Sequence, residues 1–259
     1  MSTMASDIRT PISYMSVTEH QQRLISIYTL GRTAVMADNK LLKLQKKPLE
    51  LLHALIASGA RQVPAVELAQ VLRPETVTNV ANHALETNLY RLRKMLGDQC
   101  IRLRGGLLSI NPEHCWLDVW ELERLLACSE ETMFDGGSLQ RILDLYQGPF
   151  LPSDDKGSVL IQRERLASKF LRMVMRVGQQ LEARGEYQLV IQCYQRAIEV
   201  NPLTEELYRR LMNCHNHLKQ PAEALSVYMR CCRTLKSVLG IEPTLQTVML
   251  YRKIRGFKS

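Results

Sequence analysis

The sequence predicts a mainly α chain with small β elements, a mixed N-terminal part followed by an all-α C-terminal part. Three observations carry this. Asn79–Asn111 reads as a long amphipathic helix followed at once by a basic two-stranded hairpin. In the C-terminal half an apolar and aromatic pattern returns after 34 residues, Ile191, Tyr194 and Ala197 recurring as Leu225, Tyr228 and Cys231. Charge also falls in blocks: Lys and Arg against Asp and Glu number 14 to 8 over residues 1–112, 6 to 11 over 113–170 and 14 to 7 over 171–259.

Residues 1–22 contain Ser, Thr, Asp and Pro with little periodicity and are expected to form a flexible arm. Leu24–Leu30 has strand composition, and Gly31 turns the chain into a second short strand near Thr33–Met36. Pro48 suits a first helical turn and opens a helix whose Leu49, Leu52, Leu55 and Ile56 form an apolar stripe, stopped by Gly59. Pro64 opens a shorter helix over Ala65–Leu72, and Arg73–Thr78 forms a loop. In the long helix that follows, Ala81, Leu85, Leu89, Leu92 and Leu96 share one stripe, whereas His83, Thr87, Tyr90 and Lys94 lie opposite, with Arg91 at the edge. Gly97 ends it. Two alternating runs then flank Gly105-Gly106, a dipeptide suited to a tight hairpin turn, and Arg102 and Arg104 share one side of the first strand. Strands, helix, helix, long helix and hairpin, in that order over residues 23–112, are the layout of an OmpR-type winged helix-turn-helix.

Such a helix face has the donors and acceptors to meet base edges and phosphates in a major groove. The candidate DNA-binding residues are His83, Thr87, Asn88, Tyr90, Arg91 and Lys94 on the helix, with Arg102 and Arg104 on the wing. Taken alone, the face is equally that of a solvated surface helix, and arginines on a hairpin also keep a sheet edge soluble. The alternative function is therefore a helical-repeat adaptor whose winged helix is a docking surface.

Residues 113–259 read as a tetratricopeptide-like array. Cys115–Ala127 is expected to be one helix docking under the wing, with Trp116 and Trp120 four apart and Asp118 as its cap. A turn at Gly136-Gly137 precedes the next helix. Ser158–Arg184 is a long helix or a helix pair, and Thr204 is the expected cap of Glu205–Leu218. The array should lean on the segment between Cys115 and Phe150, because few repeats are stable alone. Tyr187, Tyr194, Tyr208 and Tyr228 are expected to pack between helices rather than meet a partner. Glu121 and Glu123, in the acidic block, should face a basic surface of this chain or of a second copy.

Composition narrows the function class. The 259 residues, 46% of them hydrophobic, suffice for one or two cores, and the net charge of +8 suits an anionic partner. Seven cysteines without a Cys-x-x-Cys pair point to a reducing compartment, simplest the cytoplasm. Neither Cys214, His215 and His217 nor Cys231-Cys232 has zinc-site spacing, so no metal and no cofactor is expected. The sequence contains no apolar run long enough for a membrane span, and no phosphate loop, metalloprotease helix or nucleophile elbow. It does not read as an enzyme.

Lys46–Val63, Ala84–Gly97 and Cys115–Leu126, in this order and spacing, resemble the DNA-binding half of bacterial transcriptional activators of the antibiotic-regulatory (SARP) type. The remainder is similar to their bacterial transcriptional activator domain, and the resemblance runs from about Leu24 to Ile254. It implies double-stranded DNA as partner, two copies on tandem direct repeats near a promoter, and recruitment of RNA polymerase. Such proteins usually carry Trp-Pro-Asp and an acidic loop where this chain has Arg73-Pro74-Glu75-Thr76-Val77-Thr78, a departure that bears on the polymerase contact.

Overall fold

A computed structural model of the chain describes residues 25–75, 78–131 and 136–256. The expected N-terminal arm lies outside the described residues. Strand β1 (Ile25–Tyr28) pairs antiparallel with β2 (Ala34–Ala37), which pairs with β3 (Lys40–Leu41). Between β2 and β3, Asp38 and Asn39 both take left-handed backbone angles, which these residue types tolerate in a two-residue turn. Helix α1 (Lys46–Ala57) buries Leu51, Leu52, Leu55 and Ile56. After it come β4 (Val63–Pro64), α2 (Ala65–Leu72), α3 (Thr78–Leu96) and the hairpin β5 (Ile101–Arg104) and β6 (Leu107–Ile110). The hairpin turns through Gly105 and Gly106 at φ 56° and 76°, which L side chains rarely adopt. Strand β4 joins β6, giving a three-stranded wing sheet with β5 at its edge.

The segment after the wing departs from the sequence reading. Cys115–Leu117 is a strand, β7, running parallel to β1 with Cys115 opposite Ile25, and helix α4 (Asp118–Glu131) starts only at Asp118. The free edge of β1 captures these three residues, so sheet pairing overrides the helical spacing of the tryptophans. Trp116 therefore packs edge-on against Tyr28, ring centres 5.4 Å apart, while Trp120 stays on the helix. Asp118 is the first residue of α4 rather than the residue before it, and its Oδ1 accepts from the adjacent Val119 N at 2.8 Å, not from the second or third residue of the turn that an N-cap would satisfy. The same carboxylate also accepts from Thr29 N at 2.6 Å, Thr29 Oγ1 at 2.7 Å and Leu30 N at 2.9 Å. It thus pins the end of β1 to the start of α4 with a side chain only 2% exposed.

Helices α5 (Gly136–Leu145), α6 (Gly157–Ala183), α7 (Tyr187–Val200), α8 (Glu205–His217), α9 (Pro221–Leu239) and α10 (Leu245–Arg255) complete the chain. From α6 onward each packs against the next, the stacking of a tetratricopeptide-like array. Residues 157–183 form a single helix, and α5 begins at Gly136 rather than after the glycines. Thr204 occupies the N-cap position of α8 without a side-chain capping bond. The side chain that organises this end is Glu205, which accepts from Thr244 N at 3.0 Å and from Thr247 Oγ1 at 2.6 Å and so holds the start of α10.

The core is continuous from the sheet into the array. Leu30 bridges to Phe150, Gly31 N donates to Pro149 O at 3.0 Å, and Leu151 N donates to Thr29 O at 2.7 Å. A Cβ on Gly148 would lie 2.9 Å from the Gly31 Cα, so this crossing requires glycine. Tyr146 stacks on Phe170 of α6 at 4.5 Å, and His53 of α1 meets Asp154 at 3.3 Å. The array leans on the 115–150 segment through Tyr146 on Phe170 and the packing of α4 against α6. Glu121 pairs with Arg124 and Arg141, and Glu123 with Arg165, so these acidic side chains face basic groups of the same chain.

The tyrosines pack between helices. Tyr194 and Tyr208 are fully buried with hydroxyls donating to Glu182 and Pro202 O, Tyr187 stacks on His217, and Tyr228 stacks on Tyr251. Tyr194 fits because α6 has a glycine beneath it: a Cβ on Gly178 would lie 2.3 Å from the Tyr194 hydroxyl. Gly178→Ala should therefore destabilise the chain by about 1–3 kcal/mol, overpacking outweighing the gain of roughly 1 kcal/mol in helix propensity. Urea unfolding checks this; equal or higher stability would show that the ring moves aside freely.

Candidate nucleic-acid interface

Helix α3 has the two faces that its spacing predicts. Ala81, Leu85, Leu89, Leu92 and Leu96 are buried, whereas His83, Tyr90, Arg91 and Lys94 are exposed. Tyr90 is 69% exposed, an aromatic ring held out in solvent by a helix whose other face is anchored. Thr87 is half-buried, and its hydroxyl donates to His83 O at 3.0 Å, which leaves its oxygen lone pairs and methyl group to face outward. Glu86 is the one acidic residue in a helix that also carries Arg91, Arg93 and Lys94.

Asn88 does not belong to this face. It is 9% exposed and lies three residues after Leu85 and four before Leu92, on the buried stripe. So little of it is open to solvent, and on the side away from a duplex resting on the polar face, that it does not belong to the candidate set.

The wing stands beside the C-terminal end of α3 because Arg93 ties them together. Its Nε and Nη2 donate to Ile101 O at 3.1 and 2.9 Å, fixing the edge strand β5 against the helix. Sequence reasoning missed this positioning role, since spacing places Arg93 off both the leucine stripe and the polar one. Within the wing sheet, Arg102 pairs with Ser109 and Arg104 with Leu107, whereas Leu103 and Ile101 pair with Leu108 and Ile110. Ile101, Leu108 and Ile110 are buried in the core, so both arginines point to the opposite side. Their situations differ. Arg104 is exposed beside the turn and has no ion pair among the described residues, whereas the Arg102 guanidinium is bonded to the Glu113 carboxylate. Of the two arginines on this strand face, one is thus paired and the other is without an ion pair among the described residues. Residues 11 apart are joined by the return of the hairpin, which spacing alone does not reveal.

Helix α2 packs across α3 in the position of the first helix of a helix-turn-helix, and α1 covers the inner face of both. Within the segment bearing on a polymerase contact, Arg73, Pro74 and Glu75 are described and α3 begins at Thr78, while residues 76 and 77 lie outside the described residues.

Among the described residues, no group of three His, Cys, Asp or Glu side chains converges as a metal site. Cys214 is buried, His215 bonds to Gln220, and all seven cysteines are free thiols. No helix of the described residues is long and apolar enough to cross a membrane.

Comparison with known proteins gives this arrangement a context. Residues 117–255 match the family of the bacterial transcriptional activator domain. Regulatory protein AfsR of Streptomyces griseus is 28% identical over 217 residues, which are 79% of this chain and 22% of AfsR. Transcriptional regulatory protein MoaR1 of Mycobacterium tuberculosis is 25% identical over 219 residues, 79% of this chain and 70% of MoaR1. The chain thus spans a minor part of one relative and most of the other. The structure of Mycobacterium tuberculosis EmbR in complex with a low-affinity phosphopeptide superposes with a TM-score of 0.58 at 20% identity, over 92% of this chain and 66% of that one. That likeness extends to the fold: a winged helix followed by helical repeats.

Proposed function

The chain belongs to the bacterial transcriptional activator domain family, of the antibiotic-regulatory (SARP) type, and from that membership we propose that it binds promoter DNA through α3 and the wing and activates transcription. Its reading unit spans residues 23–112, with β7 completing the sheet, and its regulatory unit spans 113–259. The observation that carries this reading is the outward face of α3, where His83, Tyr90, Arg91 and Lys94 stand exposed and Arg93 holds the wing and Arg104 alongside. A helix in the major groove with a wing on adjacent backbone needs this side-by-side arrangement.

Roles divide by chemistry. Arg91, Lys94 and Arg104 supply charge to phosphates and set affinity and its salt dependence. His83 and Tyr90, with Thr87 behind them, present hydrogen-bonding groups and a ring edge to bases, and these set sequence preference. The helical array mediates contact with a second copy on DNA and with RNA polymerase. The protein performs no catalysis and works in the cytoplasm. Selection of bound sites from randomised duplex DNA tests the proposal, with recovery of a defined motif as the expected result; recovery of no preferred sequence would remove it.

A further inference from the structure

The face of the wing sheet turned away from the core opens into a cleft of about 600 Å³ lined by Arg61, Arg102, Arg104, Leu107, Ser109 and Pro112. Three guanidiniums thus border one concavity, and the carboxylate of Glu113 is bonded to one of them, Arg102. Arg61 comes from neither the recognition helix nor the hairpin. It lies in the turn between α1 and β4, is exposed, and has no carboxylate partner among the described residues. Its guanidinium carbon instead sits 4.9 Å from the centre of the Trp120 ring on α4. A cation over an aromatic face is oriented without being neutralised. The charge therefore remains available to an anion.

Arg104 borders both this cleft and the wing turn. A DNA strand held at the turn is led across the same sheet face, toward Arg102 and Arg61. The Arg102–Glu113 pair does not block it, because Glu113 is 68% exposed and exposed ion pairs are weak in water. A phosphate can take the place of the carboxylate.

We propose that Arg61, steered by Trp120, is a further contact to the DNA backbone, forming with Arg102 and Arg104 a phosphate-binding track beside the wing. This inference rests on the duplex-binding reading above. It adds one consequence: Trp120 lies within the matched activator-domain segment, so helix α4 of that segment orients a residue of the DNA surface. Trp120 is a positioning residue that acts through Arg61.

The test is a salt titration of duplex binding by the full chain, read by fluorescence anisotropy with a labelled duplex recovered from site selection. Arg61→Ala should reduce the slope of log affinity against log salt by about 0.9, the value for one lost phosphate contact, with base preference unchanged. Arg61→Lys should keep the wild-type slope. Trp120→Leu should keep the slope and weaken binding by less than Arg61→Ala does. Matched melting temperatures of the two Arg61 variants separate a lost contact from a damaged fold. An Arg61→Ala protein with the wild-type slope would overturn the inference alone. So would an Arg61→Ala protein that binds DNA normally but no longer stimulates transcription, since the cleft would then hold a protein. Wild-type binding without salt dependence would instead remove the duplex reading, and this inference with it.

Discussion

Replacing Asp118 with alanine is expected to cost about 3–5 kcal/mol of folding stability, a large part of the roughly 5–15 kcal/mol a domain possesses. The reason is arithmetic of donors rather than of charge. The backbone N–H groups of Thr29, Leu30 and Val119 and the Thr29 hydroxyl all donate to one carboxylate. Thr29 is fully buried, so no water replaces the lost acceptor, and each orphaned buried donor costs about 1–3 kcal/mol. The site also joins the sheet behind the reading helix to α4, which packs against α6 of the array. Loss of the bond should loosen both sides together, seen as a lower urea midpoint. A shift below about 1 kcal/mol would mean that the donors find other partners.

The same carboxyl carries a pH signature. Burial raises its pKa from 3.8 to about 6, a larger effect than the opposing pull of its four donors. The folded chain then holds a proton that the unfolded chain has released between 3.8 and about 6. This group's contribution to stability is therefore greatest below that window, falls as pH rises through it, and is level above. Asp118→Asn removes this pH dependence and leaves an amide N–H₂ facing backbone donors.

Removing three exposed cations of the proposed surface together, in an Arg91→Ala, Lys94→Ala, Arg104→Ala chain, should weaken duplex binding by about 10²–10³-fold. That follows from about 1–1.5 kcal/mol net per solvent-exposed contact, the upper part of the range for an ordinary hydrogen bond, and about 1.4 kcal/mol per factor of ten. The salt slope should fall in magnitude by about 2.7, three times the value per phosphate. Stability should be nearly unchanged, because all three side chains are exposed and none contributes to the core. The combination separates a binding defect from a folding defect. A triple variant that binds within about tenfold of wild type would place the DNA elsewhere on the protein.

The parts of the fold legible in the sequence are those whose cause is local. The leucine stripe of α3, the glycine pair of the wing and the proline and glycine boundaries of α1 and α2 each act over a few residues, and the chain follows them. Strand β7 was not legible, because three residues carry little periodicity and their partner lies about 90 residues upstream. The 34-residue recurrence places Ala197 and Cys231 alike in the core, whereas Ile191 and Tyr194 are buried and their counterparts Leu225 and Tyr228 only half-buried.

The candidate site divides in the same way. Helical spacing identified His83, Tyr90, Arg91 and Lys94, and applied consistently it also excludes Asn88, which lies on the leucine side. The pairing of Arg102 with Glu113, the clamp of Arg93 on Ile101 and the placement of Arg61 over Trp120 arise only once the hairpin and α4 have docked. No sequence spacing encodes them.

The central claim is that the exposed face of α3 reads bases, and site selection with paired variants tests it most directly. Wild-type chain and a His83→Ala, Tyr90→Ala chain would each be challenged with the same randomised duplex library. A defined motif is expected for wild type, and for the variant a loss of preference at a few contiguous base pairs, each worth about 1–3 kcal/mol, with the flanking positions retained. An identical motif from both proteins would show that this face does not read the sequence.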